Sequence, residues 1–141
     1  MTVRVLTQAD WPEAEALYKD LTEGDWIGDA AMFATVLAHP GTTIWGLEQE
    51  GRLLAMATLH ILPNVTYGGR PYALVENVVT ATRARGLGCG RQVMTRLAEE
   101  ARAAGCYKVM LLTGQGRAAR GFYEALGYSA DEKWGMILRF D

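Results

Sequence analysis

The chain has 141 residues, enough for one domain (residues 1–141) around a single core. Half of the residues are hydrophobic, 21% are charged and the net charge is −2, which excludes a disordered chain and, with no basic tail, a general nucleic-acid binder. No apolar run nears the ~18 residues of a spanning helix, and MTVRVLTQAD lacks the apolar core of a signal peptide, so the expected setting is cytoplasmic with no membrane partner.

In chain order, Val3 to Leu6 alternates and reads as a first strand. Asp10 followed by Glu13 suggests a capping box, with Pro12 tolerated in the first turn of a helix that runs to about Leu21. Gly24 and Gly28 bracket a loop holding Asp25, Trp26 and Ile27. A second helix is expected over Ala30 to Ala38, ended by Pro40-Gly41. Thr43 to Leu47 and Leu53 to Leu62 read as a hairpin around Glu50-Gly51. Pro63 to Arg70 is a loop, and Pro71 to Thr80 a central strand. A long helix follows to Ala104, stopped by Gly105. Tyr107 to Leu112 is another strand, Ala118 to Leu126 a short helix, and Trp134 to Phe140 the last strand or two. From the residues alone this is α+β, a mixed sheet in three layers.

The stretch from Glu76 to Met94 organises the rest. Val78-Val79-Thr80 has the composition of a buried strand. Gly86, Gly88 and Gly90 follow at alternate positions. Apolar residues then recur at helical spacing: Leu87, Val93, Met94, Leu97, Ala98, Ala101 and Ala104. A strand that runs through glycines into a helix gathers unpaired N–H groups and the positive end of the helix dipole in one turn, an anion site suited to phosphate or pyrophosphate. It is no dinucleotide fingerprint, because the last glycine of G-x-G-x-x-G falls on Arg91. It is no P-loop, because the chain has no Gly-Lys pair.

What stands there is Arg85-x-x-Gly88-x-Gly90, which resembles the [QR]-x-x-G-x-[GA] motif of the GNAT superfamily, the acyl-coenzyme A-dependent N-acetyltransferases. Ala119, Phe122, Tyr123, Gly127 and Tyr128 are similar to a second family segment, A-x-x-F-Y-x-x-x-G-[FY]. Where many members carry an Asn shortly before that Ala, Gly116 stands here. Leu74 to Val79 resembles strands with a glutamate just upstream of the phosphate loop. The resemblance spans essentially the whole chain. It implies α/β (α+β) architecture with a central, mixed, mostly antiparallel twisted sheet of six to seven strands and about four flanking helices. It implies acetyl-coenzyme A as co-substrate, no metal, and direct transfer to an amine in a ternary complex. A homodimer through C-terminal strands is common in the family.

The resemblance and the chemistry of acetyl transfer together assign expected roles. Val78 and Val79 offer backbone hydrogen bonds to pantetheine lying along the strand, and an N–H there can polarise the thioester carbonyl. Arg85, Gly86, Leu87, Gly88, Cys89, Gly90 and Arg91 hold the pyrophosphate. Arg83, Arg117 and Arg120 are further candidates for phosphate charge. Tyr123 is the expected proton donor to the leaving thiolate, since a phenol stays protonated at neutral pH. Glu76 is the expected general base, through a water, its apolar strand raising its pKa, and alternation puts it on one face with Val78 and Thr80. His60 is its rival, and ordered water a third course; His39 reads as a helix-end residue. Cys89 has no His-Asp partners and counts for its N–H; Cys89 and Cys106 make no disulfide framework or zinc site. Trp26, in an acidic loop with Asp25 and Asp29, and Tyr67, in the loop from Asn64 to Arg70, are candidate acceptor-binding residues for a cationic amine. The expected acceptor is a small-molecule primary amine. A protein or peptide acceptor, and a coenzyme A-binding sensor without turnover, are the alternatives.

Overall fold

The computed structural model describes residues 1–141 apart from Glu23, Asp25 and Arg117. Two compact units divide the chain, Met1–Met110 and Leu111–Asp141. The first holds β1 (Thr2–Val5), α1 (Trp11–Thr22), α2 (Ala30–Ala38), β2 (Thr42–Gln49), β3 (Arg52–Leu62), a single turn α3 (Thr66–Gly69), β4 (Tyr72–Thr80), α4 (Cys89–Ala103) and β5 (Val109–Met110). The strands form one sheet in the order β1-β2-β3-β4-β5. Every pair is antiparallel except β4 with β5.

The expected hairpin is present. Glu50 and Gly51 have φ of 52° and 77°, so two left-handed residues join Gln49 to its ladder partner Arg52. This is the primed turn whose twist matches that of the strands it connects. Cross-strand pairing then sorts the side chains by face. Thr42 with His60, Ile44 with Thr58 and Gly46 with Met56 share one face; Thr43 with Leu59, Trp45 with Ala57 and Leu47 with Ala55 share the other. Helix α4 covers the second face, burying Cys89, Val93, Met94, Leu97 and Ala101, with the Arg96 guanidinium 4.9 Å above the Trp45 ring. Helices α1 and α2 pack on β3, β4 and β2, burying Ala14, Leu17 and Phe33. Each large side chain fully buried this way contributes about 2 kcal/mol relative to exposure.

Four expectations need correction. Asp10 does not pair with Glu13 in a cap: its carboxylate accepts the Thr7 N–H at 2.8 Å, one register earlier. Glu13 instead accepts the Leu53 N–H at 3.2 Å and pairs with Arg52. The strand expected over Tyr107 to Leu112 is only Val109–Met110, paired with Ala73 and Leu74. Leu87 lies before α4 and is exposed, so the buried stripe begins at Cys89. Among the described residues the sheet has five strands, fewer than the six to seven expected.

Among its described residues the second unit holds a helix and no strand. Its helix is α5 (Arg120–Ala125), within which the Phe122 and Tyr123 rings meet edge to face at 5.0 Å. Gly127, at φ 97°, ends the turn, and Tyr128 N–H donates to the Tyr123 carbonyl at 3.1 Å. Burial raises the Tyr128 hydroxyl's pKa. Beyond it Trp134, Met136, Leu138 and Phe140 alternate as a strand should, yet they are 93%, 90%, 80% and 88% exposed and pair with no strand among the described residues. Period-two spacing makes a segment fit for a sheet but does not by itself supply a partner strand. No described helix is long and apolar enough to cross a membrane.

One ionic cluster ties β1 to this frame. Arg4 donates to both Asp10 oxygens at 2.9 and 2.8 Å and to Glu48 at 2.7 Å. The guanidinium holds the Asp10 carboxyl below its ordinary value of 3.8. A depressed folded-state pKa contributes stability above the ordinary value and loses it as pH falls through the lowered one. Asp10→Asn should therefore cost about 1 kcal/mol at neutral pH, in keeping with a half-exposed pair. In urea unfolding the gap to the parent should close as the pH falls through and below 3.8; a gap independent of pH would mean that the carboxylate's charge contributes nothing.

Candidate active site

Strand β4 is where the sheet opens. Its ladder to β5 covers Ala73 and Leu74, so from Val75 to Thr80 that edge has no strand partner among the described residues. On the other side β4 carries a bulge. Glu76 pairs with Thr58 and Val79 with Met56, so two residues, Asn77 and Val78, stand opposite Ala57. Asn77 takes up the irregularity with φ 53°, a left-handed conformation that Asn tolerates better than most residues. The bulge breaks the expected alternation. Glu76 and Val79 lie on the face of Thr58 and Met56, whereas Thr80, paired with Ala55, lies on the other. Glu76 is exposed rather than sunk in the strand. Val78 is half-buried and Val79 buried.

At the end of β4 a 3-10 turn, Thr82–Ala84, leads into the glycine loop. Gly86 and Gly88 both have φ 79°, and a Cβ on either would meet nothing within 4 Å. Their glycine identity therefore answers to backbone conformation and to open space in front of the loop, not to packing behind it. Gly88 is the residue before α4. The first amide to reach back is Gln92 N–H, donating to the Gly88 carbonyl at 3.1 Å. The amides of Cys89, Gly90 and Arg91 are the orphan donors of a helix start, with the dipole's positive end behind them. Cys89 is 2% exposed.

The arginines divide. Arg85 and Arg91 are exposed at this loop, with Arg85 Nε 3.4 Å from the Thr80 carbonyl. Arg83 is committed to the Leu53 carbonyl at 3.0 Å. Arg120, in the second unit, pairs with Glu124 and Asp131. Arg117 lies outside the described residues, as does Asp25 of the acidic loop.

On the α1/α2 face a cavity of about 260 Å³ is lined by Trp11, Tyr18, Trp26, Asp29, Phe33 and His60, with Gly28, Met32, Val36, Thr58 and Asn77 completing it. Trp26 stacks on Trp11 and Tyr18, with centroids 6.2 and 6.0 Å apart, and Phe33 lies 5.3 Å from Trp11. A Cβ on Gly28 would fall 2.3 Å from the Trp26 ring, so Gly28 is what lets the indole lie there. Asp29 caps α2, accepting the Met32 N–H at 2.8 Å. Burial raises the Tyr18 hydroxyl's pKa, a shift offset in part by its hydrogen bond with Thr58. Through Asn77 the cavity reaches the bulge of β4. Of the two acceptor-binding candidates, Trp26 lines it. Tyr67 does not: it is 68% exposed and stacks on Tyr107 at 4.4 Å, in a loop fastened by Arg70 to the Gly105 and Cys106 carbonyls. Nothing in the sequence singles out Trp11, Tyr18 and Phe33 as cavity residues. Their spacing is that of any buried helix face, and no signal separates lining a cavity from filling one.

A family model for the acetyltransferase (GNAT) family matches residues 3–128. A glucosamine 6-phosphate N-acetyltransferase of Trypanosoma brucei brucei is 33% identical over 94% of this chain and 92% of its own length. Among solved structures, a protein from Agrobacterium tumefaciens str. C58, provisionally assigned as an acetyltransferase, is 40% identical with a TM-score of 0.93, covering 99% of this chain and all of that one. A glucosamine-6-phosphate N-acetyltransferase from Arabidopsis thaliana is 25% identical with a TM-score of 0.86, over 99% of this chain and 98% of its own. With a strand that gives up its partner, a glycine loop leading into a helix start, and this likeness over nearly its whole length, the chain belongs to the GNAT family of acetyl-coenzyme A-dependent N-acetyltransferases.

Proposed function

We propose that the enzyme acetylates the primary amine of a small molecule by direct transfer in a ternary complex. The observation that carries this is the cavity of about 260 Å³ at the β4 bulge, sized for a small ligand and walled by aromatic rings that attract a cation. Pantetheine lies along the open edge of β4 as an added neighbour, its amides meeting the backbone of Val78 and Val79. The acceptor enters from the cavity beside Asn77. Two reactants held in this way need no covalent enzyme intermediate.

The relatives named glucosamine 6-phosphate N-acetyltransferase make amino sugars the first acceptors to test. The described lining residues include no lysine or arginine, so a phosphorylated sugar would place its phosphate outside the cavity. An amine panel holding glucosamine 6-phosphate, glucosamine, aromatic amines, polyamines and peptides, read by thiol release, tests the reading. Turnover with a small amine and none with peptides is the expected result. Turnover with peptides alone overturns it, and coenzyme A binding without turnover on any amine turns it into a sensor.

The pyrophosphate rests on the amides from Gly86 to Arg91, with Arg85 beside them. Gly88→Ala puts a methyl group into the open space and forces a side chain into φ 79°. Coenzyme A affinity should fall about tenfold or more, a loss of roughly 1.4 kcal/mol at least, in a protein that still folds. Calorimetry that returns the parent affinity for a folded Gly88→Ala protein would take the loop out of the site.

Tyr123 donates a proton to the departing thiolate. Tyr123→Phe keeps the ring and its edge-to-face contact with Phe122 but removes the hydroxyl. Its kcat should drop by about 10²-fold with coenzyme A affinity nearly unchanged. Normal kcat in this variant would leave Tyr123 as a packing residue.

A further inference from the structure

Residues 39 to 42 read His-Pro-Gly-Thr. Pro40 fixes one central position of the turn and Gly41, at φ 77°, supplies the other, while Thr42 N–H donates to the His39 carbonyl at 3.1 Å. This is the pattern of a type II turn. A Cβ on Gly41 would fall 2.5 Å from the Ile61 carbonyl oxygen, so no larger residue fits. The turn brings His39 Nδ1 to 2.9 Å from Thr42 Oγ1. Thr42 opens β2 and is the direct ladder partner of His60 on β3, and its Oγ1 lies 2.8 Å from His60 Nδ1. Thr42 is 6% exposed, His39 is exposed, and His60 lines the acceptor cavity. A hydrogen-bonded line thus runs from the cavity, through a buried hydroxyl, to the surface.

A hydroxyl has one proton, so of the two imidazole nitrogens on Thr42 Oγ1 one accepts and the other donates. When the hydroxyl donates to His39 Nδ1, His60 carries its proton on Nδ1 and gives it to Oγ1. The Nε2 lone pair of His60 then remains for a ligand, and no described residue bonds to it.

We propose that His60 is the general base of the transfer, with Thr42 and His39 as positioning residues that hold it in the Nδ1–H tautomer; this rests on the small-amine reading above. The acceptor enters as an ammonium. One N–H bond breaks and its proton forms a bond to His60 Nε2. The electron pair left on nitrogen forms the C–N bond at the thioester carbonyl, and the C–S bond breaks with its pair going to sulfur. A second proton lost from nitrogen is balanced by the one the leaving thiolate takes up. The imidazolium so formed keeps Nδ1–H on Thr42 Oγ1, whose own proton is directed to His39. The charge is therefore met by a polar line that ends in solvent, not by a buried dead end. Glu76 suits the task less well. It is exposed on β4 and absent from the cavity's lining, and its part is to draw the ammonium towards the bulge. Among the described residues, the other titratable groups around His60 are Tyr18 of α1 and Asp29 at the start of α2, both in the cavity, and His39 after α2.

Nitrogen-15 NMR of the imidazoles in the full chain, read with acetyl-transfer pH profiles, tests the proposal. The expected result is His60 as the Nδ1–H tautomer in the resting enzyme. His60→Gln should lose about 10²-fold in kcat and the acidic limb of its kcat/KM profile. Thr42→Val should lower kcat about tenfold and release the tautomer, and Thr42→Ser should restore both. Glu76→Gln should raise KM and retain the acidic limb. His60 found as the Nε2–H tautomer, or an intact acidic limb in folded His60→Gln, overturns the proposal. Should no amine be acetylated, the small-amine reading fails, while the tautomer measurement still decides whether Thr42 and His39 set His60 as described.

Discussion

Everything at this site depends on two neighbouring strands ceasing to pair. β4 and β5 run parallel for the two residues Ala73 and Leu74, and then β4 continues with no strand partner on that edge among the described residues. An unpaired edge normally invites another chain. On the proposed reading, the same row of donors and acceptors is a template for a ligand with amide groups such as pantetheine. The bulge at Asn77 and Val78 acts on the strand from its other side. A bulge bends a strand and increases its twist. The open edge, the bend and the mouth of the aromatic cavity therefore coincide within a few residues of one strand.

The cavity belongs to the opposite covering layer from the phosphate loop. α4 packs on the face that carries Trp45 and Leu47, whereas α1 and α2 border the face that carries Thr58 and His60. On the proposed reading, the two substrates are handled by different elements that share only β4. Such a division lets the acceptor side differ in shape and charge while the donor side keeps its backbone geometry.

How much of this could be read from the chain varies with the range of the interaction. The glycine loop, the hairpin turn and α4 were legible because local rules write them: positive φ at glycine, a two-residue turn, apolar residues at helical spacing. The bulge was not, because nothing in Glu76-Asn77-Val78 distinguishes a regular strand from an irregular one; only the pairing with Thr58 and Met56 does. Strict alternation therefore put Glu76 and Thr80 on one face wrongly. The aromatic cavity was hidden for a related reason, since Trp11, Tyr18, Trp26 and Phe33 meet across a helix, a loop and a second helix. The line from His39 to His60 was half visible. Its turn is spelled by Pro40-Gly41, but its second half is a cross-strand pair eighteen positions away. At Trp134 to Phe140 the pattern spoke for a strand, and pattern alone supplies no partner.

Arg70 gives the loop before β4 a reach beyond its own turn. Its guanidinium grips the carbonyls of Gly105 and Cys106, where α4 ends and the chain turns back towards β5. The other end of α4 is the glycine loop. A helix is a stiff rod with a fixed advance and rotation per residue, about 1.5 Å and 100°. Fastened at one end by Arg70 and opening at the other onto the anion site, α4 works as a gauge block between the launch point of β5 and the donor amides. Lengthening it by a single residue would swing one end by more than a quarter turn relative to the other. Among the described residues of the loop from Gly24 to Asp29, no side chain holds the ends of α1 and α2 in this way. Insertions and new side chains can therefore be grafted onto the acceptor side of the molecule, and the length of α4 is the dimension to leave alone.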